Sequence, residues 1–213
     1  MQTKLIKEIE KAARTYFPPQ GHHGFDHTLR VRRLAMQIGK AEAADLQIVE
    51  AAALLHDIAR EKEDKGEIEC HAAHGAVEAE KILENVSFPK EKIAAVQHCI
   101  AVHRASKHMK AETIEAKILQ DADRLDLLGA IGIGRYFHRA GAMGREMYNP
   151  EQSTNVEYRG QQLAAVNNLI VKGVNFTKPE NFNTKTAQKM AKGRHGFLKE
   201  FVERFIAEWK GEK

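Results

Sequence analysis

Apolar residues recur at three- and four-residue spacing along almost the whole chain, and the two-residue alternation of a half-buried strand is nearly absent. The helical spacing runs through 3–16, 27–38 (Leu34, Ala35, Ile38), 44–58 (Leu46, Val49, Ala53), 70–85, 90–103, 113–137, 159–171 and 183–209. Apolar stripes at this period are buried only by packing helix on helix, so the expected fold class is all-α. Punctuation agrees: Phe17-Pro18-Pro19-Gln20-Gly21, Ser87-Phe88-Pro89 and Thr177-Lys178-Pro179 fall between the periodic runs. The stretch 139–158, with Gly141, Gly144, Asn149, Pro150, Ser153, Thr154 and Asn155, lacks clear periodicity and reads either as a surface excursion or as a lid. Gly129, Gly132 and Gly134 follow no strand, so they read as close helix packing or a kink rather than a phosphate-binding loop.

A chain of 213 residues suits a single domain, expected here to span 1–213, with a core at about 20–137, a loop at about 139–158 and C-terminal helices at about 159–210. Hydrophobic residues at 43% and charged residues at 29% exclude a disordered or fibrous chain. No stretch approaches the roughly 18 uncharged apolar residues of a membrane span, so no membrane partner is expected. The N-terminal Lys4, Lys7, Glu8, Glu10 and Lys11 leave no apolar signal core, and Cys70 and Cys99 read as free thiols, so a cytoplasmic location is expected. Each cysteine adjoins a histidine, but without a C-x-x-C element a zinc site on them is set aside. The net charge of +4 arises in 172–213, where ten Lys/Arg are interspersed with five Glu. Mixed signs on a helical segment describe a solvated face, so a nucleic-acid partner is not expected, although a basic rim would steer an anionic substrate.

Histidine is abundant, at 11 residues against seven aspartates. His56-Asp57 ends the apolar run Ala51-Ala52-Ala53-Leu54-Leu55, where an unpaired carboxylate would be costly. Asp57 therefore needs a cation or strong donors; a salt-bridged carboxylate beside an ordinary core histidine also satisfies this. Three aspartates crowd into Asp121-Ala122-Asp123-Arg124-Leu125-Asp126. On a helix Asp121 shares a face with Arg124, whereas Asp123 points about 200° away from Asp121, so one carboxylate serves any one site. Asp121 is the expected one; a surface pair with Arg124 is the alternative. His27 enters the first turns of the next helix after Gly24-Phe25-Asp26, and Arg30 shares its face.

Taken together, His27, His56-Asp57 and Asp121, on successive helices, resemble the metal-dependent phosphohydrolases of the HD superfamily. Gly24-Phe25-Asp26-His27, Ala53-Leu54-Leu55-His56-Asp57-Ile58, His71-Ala72-Ala73-His74-Gly75-Ala76, Val102-His103-Arg104 and the run from Ile118 to Arg135 are similar to a branch of small bacterial members. So are Asn183-Thr184-Lys185-Thr186-Ala187 and Arg194-His195-Gly196-Phe197, and the likeness covers almost the whole chain.

The resemblance implies an HD-type helical bundle with an additional C-terminal helical segment, and a divalent ion held by His27, His56, Asp57 and Asp121. Two imidazoles and two carboxylates suit Mn²⁺ first, with Mg²⁺, Fe²⁺, Ni²⁺, Co²⁺ or Zn²⁺ also compatible. Such an ion acidifies a water and polarises a phosphoryl group. The implied substrate is a small phosphorylated molecule, with nucleoside or deoxynucleoside phosphates favoured. A phosphodiesterase on cyclic or linear dinucleotides and a non-catalytic nucleotide sensor are the alternatives. His71 and His103 resemble positions that complete a second metal site in dinuclear branches; around one metal they would bind phosphate or serve as acid and base. Some nucleotide-hydrolysing members carry a Glu three residues after the His-Asp pair; here that place is Arg60, followed by Glu61, which is taken as a candidate base. Arg30, Arg60, Arg104, Lys107 and Arg124 are candidate phosphate clamps, each within about one helical turn of a proposed site residue. The oligomeric state is left open.

Overall fold

The computed structural model describes residues 4–18, 24–104 and 109–213, and its regular elements are helical throughout these residues. Pro19, Gln20, Gly21 and Lys107 lie outside the described residues. The chain divides into two compact units, Met1–Asp123 and Arg124–Lys213.

The first unit contains α1 (Lys4–Arg14), α2 (Phe25–Ala41), α3 (Leu46–Leu55), α4 (Arg60–Asp64), α5 (His71–Asn85), α6 (Lys90–Val102) and most of α7 (Ile114–Leu125). Its centre is α3, in which Ala51, Ala52, Ala53, Leu54 and Leu55 are fully buried. A helix apolar on every side belongs inside a bundle, and α3 touches α1, α2 and α6. Its start is fixed by Asp45, whose carboxylate accepts the backbone N–H groups of Gln47 and Ile48 at 3.0 and 3.3 Å. The other end of α3 carries His56 and Asp57 into the interior.

Two antiparallel helix hairpins then decide which residues meet. The short link 42–45 folds α3 back along α2, which brings the start of α2 beside the end of α3. The link 86–89 does the same for α5 and α6. Each hairpin therefore presents, at one end, a histidine from the beginning of its first helix and another from the end of its second: His27 with His56, and His71 with His103.

The second unit contains α8 (Gly129–Ala142), α9 (Ala165–Asn168), a π-helical turn (Leu169–Phe176), a 3₁₀ turn (Pro179–Asn181) and α10 (Lys185–Trp209). The periodicity of 113–137 predicts one helix, but the chain breaks between α7 and α8. Gly129 has φ +69°, and a Cβ on Gly132 would stand 2.2 Å from the Leu127 carbonyl oxygen, so the glycine run makes a tight re-entry rather than a continuous helix. The helix persists to Ala142, past the expected loop start at 139, and 159–164 is non-helical where helix is expected. The segment 143–164 is tied down: Asn167 Nδ2 donates to the carbonyls of Asn149 and Gln152 at 2.8 and 3.0 Å, and its Oδ1 accepts the Asn149 N–H at 3.0 Å. Thr184 caps α10 through the Ala187 N–H at 3.2 Å, after the Thr177-Lys178-Pro179 punctuation.

Among the described residues, no helix is long and apolar enough to cross a membrane. Cys70 is half-buried and Cys99 buried, both as free thiols, and burial pushes the Cys99 thiol up to about 12.

Candidate metal centre

Asp57 stands at the focus of four imidazoles. Its Oδ2 is 3.7 Å from His27 Nε2 and 3.6 Å from His56 Nε2, and its Oδ1 is 3.1 Å from His71 Nε2 and 3.6 Å from His103 Nε2. All five side chains are buried. The ring centroids of His27 and His56, His56 and His103, and His71 and His103 are 5.4, 5.2 and 5.1 Å apart. Two groups of potential ligands result, His27–His56–Asp57 and Asp57–His71–His103, each with its ligand atoms within 4.8 Å of one another.

Backbone and side-chain acceptors set the ring nitrogens. A backbone carbonyl can only accept, so the ring nitrogen facing one carries the proton. His56 Nδ1–H donates to the Ala53 carbonyl at 2.9 Å and His103 Nδ1–H to the Ile100 carbonyl at 2.7 Å. His71 Nδ1–H donates to Glu63 Oε2 at 2.6 Å. The Nε2 atoms of His56, His71 and His103 thereby face the Asp57 carboxylate, and His56 Nε2 is buried with no hydrogen-bond partner among the described residues. A bare imidazole nitrogen beside a buried carboxylate is an acceptor set that a divalent cation satisfies, and its N/O chemistry suits the first-row ions.

Electrostatics agree. Burial pushes His56 down to about 4 against the opposing Asp57 charge, leaving a neutral imidazole near pH 7. Burial pushes Asp57 up, but the surrounding His56, His103 and His71 outweigh it and hold the carboxyl well below its ordinary range.

A carboxylate of α7 also bears on the cluster. Asp123 approaches it, with its Oδ1 at 3.3 Å from His27 Nε2. Asp121, the ligand expected from the sequence, is fully buried, and neither aspartate belongs to the two potential ligand groups among the described residues. The two lie about 200° apart around α7, so a helix that turns Asp123 toward His27 turns Asp121 away. Burial raises the Asp123 carboxyl, and His27 more than offsets it, so the group is held low.

Glu61, the candidate base from the sequence, pairs with Lys65 at 2.7 Å. The carboxylate that does enter is Glu63, whose Oε2 also accepts the backbone N–H of His71 at 2.6 Å. Burial raises its carboxyl, but the His71 and Arg104 donors lower it by more. The signal that could have found it is position: Glu63 lies in the short segment between two of the clustered histidines.

Among the candidate clamps, Arg124 is buried, donates to the Asn181 carbonyl at 2.6 Å and lies 4.7 Å from the Phe182 ring centroid. Arg30 pairs with Asp26 on α2. Arg60 donates to Asp64 at 3.1 Å and sits in the field of Asp57. Arg104 Nη1 donates to both Glu63 oxygens at 3.1 and 3.0 Å.

The HD domain family model matches residues 24–128, the span that carries every residue of the cluster. YpgQ of Bacillus subtilis, described as an uncharacterized protein, is 35% identical over 184 residues, which cover 84% of this chain and 81% of that protein. The chain belongs to the HD superfamily. Crystal structures agree with this: a Lactobacillus plantarum protein matches with a TM-score of 0.78 at 30% identity, over 99% of this chain and 100% of its own. YpgQ crystallised with ADP matches with a TM-score of 0.74 at 31% identity, over 96% and 95% of the two chains. A Bacillus thuringiensis HD-superfamily hydrolase matches with 0.72 at 33%, over 96% of each. HD-superfamily hydrolases are metal-dependent phosphohydrolases, and this chain, with its buried histidine–aspartate cluster, is an enzyme of that class.

Proposed function

We propose that the chain hydrolyses phosphate ester or anhydride bonds of a nucleotide, with a nucleoside or deoxynucleoside phosphate as substrate. The observation that carries this reading is the Asp57 carboxylate, each of whose oxygens faces two imidazole nitrogens while His56 Nε2 lacks a partner. His27, His56, Asp57 and Asp123 would hold one divalent ion, Mn²⁺ being our first choice. When bound, that ion supplies an acidified water and a Lewis-acid contact to the phosphoryl group. His71 and His103 present Nε2 on the other side of Asp57, where they would bind or protonate phosphate oxygens. Arg60 lies in the field of Asp57 and would neutralise substrate charge. The nucleotide is supported by YpgQ, whose crystal structure holds ADP.

A dinucleotide phosphodiesterase is the second reading, favoured by the second potential ligand group, Asp57–His71–His103. Both are tested by one experiment: product release from nucleotides and dinucleotides, after chelation and after restoring Mn²⁺, Mg²⁺, Co²⁺ or Ni²⁺, with phosphate resolved from pyrophosphate. Metal-restored turnover of a mononucleotide is expected. Turnover of dinucleotides alone, with two ions bound per chain, moves the assignment to the second reading, and metal binding without any turnover overturns both.

A further inference from the structure

Glu63, beside the cluster, is committed on both oxygens. Oε2 accepts two donors from one residue, the His71 backbone N–H and Nδ1–H, each at 2.6 Å. Arg104 Nη1 bridges Oε1 and Oε2 from the other side. The three side chains are largely enclosed, with 2% of His71, 19% of Glu63 and 17% of Arg104 exposed. A carboxylate held by two donors from one residue and by a guanidinium has little rotational freedom, so it acts as a fixed acceptor.

That acceptor decides what His71 offers. With its proton on Nδ1 and aimed at Glu63, the ring presents Nε2 at 3.1 Å from Asp57 Oδ1 and 3.2 Å from His103 Nε2. Turning the ring over would break the Nδ1 contact with Glu63, and because Nε2 also faces a carboxylate, Asp57 Oδ1 at 3.1 Å, it is the shorter contact to Glu63 that holds the proton on Nδ1 once Nε2 is engaged by a cation or a phosphate. We propose that Glu63 is the positioning residue of His71, fixing its tautomer and ring orientation so that Nε2 faces the reacting phosphoryl group, and that Arg104 acts through Glu63 rather than on the substrate. The proposal rests on the phosphohydrolase reading for its consequence in turnover, but the state of the His71 ring is measurable without turnover.

The test uses the full chain, metal-free and then Mg²⁺-loaded, in the forms wild type, Glu63→Gln and Glu63→Ala. Ring-nitrogen NMR correlations, assigned through His71→Gln, report the tautomer. Wild type is expected to show His71 as the Nδ1–H form, and Glu63→Ala to move it to a mixed or Nε2–H population. Glu63→Gln, whose amide oxygen still accepts, is expected to keep the Nδ1–H form in part. In turnover, Glu63→Ala should lower kcat by about 10–100-fold, the usual effect of removing a partner that orients a site histidine, with bound-metal stoichiometry unchanged. Glu63→Gln should recover part of that loss. A His71 signal identical in wild type and Glu63→Ala overturns the proposal, as does a kcat loss that Glu63→Gln does not relieve. If Glu63→Ala does not fold, the His71 signal of Glu63→Gln decides, since loss of the charged acceptor must still shift it. An inactive wild type whose His71 signal nevertheless responds to Glu63 removes the phosphohydrolase reading and leaves the positioning role standing.

Discussion

His27 Nε2 lies 3.3 Å from Asp123 Oδ1, while Asp121, on the same helix, faces about 200° away. The approach of α7 to the start of α2 thus brings Asp123, one of the neighbouring carboxylates of that helix, against His27.

Asp123→Asn should therefore lower metal affinity by more than about 100-fold, beyond the 10–100-fold range typical of residues that only orient ligands. Asp121→Asn should act on stability instead, because Asp121 is fully buried and points about 200° away from Asp123 around α7. Metal content after dialysis, compared with the thermal midpoint of each variant, separates the two; metal loss in Asp121→Asn with full retention in Asp123→Asn would reverse the assignment.

Chelation should lower the thermal midpoint. An ion that binds the folded chain alone stabilises it by about 2.7 kcal/mol when present at a hundred times its Kd. Differential scanning calorimetry with and without chelator reads the shift, and an unchanged midpoint would speak against a metal at this cluster.

Asp45 gives a pH signature away from the cluster. Its carboxyl is held below its ordinary value of 3.8, first by the Lys92 ammonium at 2.7 Å, with partial burial opposing and the Ile48 and Gln47 N–H groups adding to Lys92. A group whose folded-state value is depressed contributes stability above its unfolded value and loses it as pH falls through the folded one. Asp45→Ala should accordingly cost about 1 kcal/mol near neutrality, typical of a lost helix cap. That difference should shrink as pH drops below 3.8. Urea unfolding of both proteins in chelator across that range measures it.

The helix break predicts opposite signs for two neighbouring glycines. Gly132→Ala would set a Cβ 2.2 Å from a backbone carbonyl and should cost more than about 1 kcal/mol. Gly134 lies in the same helix, and a methyl group there would meet no atom within 4 Å, so its replacement by alanine should gain up to about 1 kcal/mol. Denaturant midpoints check both, and equal effects would contradict the tight re-entry into α8.

The sequence by itself determined the helical class, the placing of most helices, and the His27, His56, Asp57 and His71–His103 positions around which the centre forms. The helices follow from local quantities, apolar period with proline and glycine breaks, and His56-Asp57 from its place at the end of an apolar run, whereas the role of His27 and the His71 and His103 positions follow from the resemblance to the HD superfamily. It also marked the glycines of 129–134 as a close contact or a kink without saying that the helix breaks there. Tertiary structure alone decided that Asp123 approaches His27, that Glu63 meets His71, and that Arg124 meets Asn181 and Phe182. Each of those outcomes depends on the rotation of a helix about its own axis and on which neighbour it meets. A helical sequence fixes the angles between its side chains, but only packing against another element fixes which of those directions faces the site.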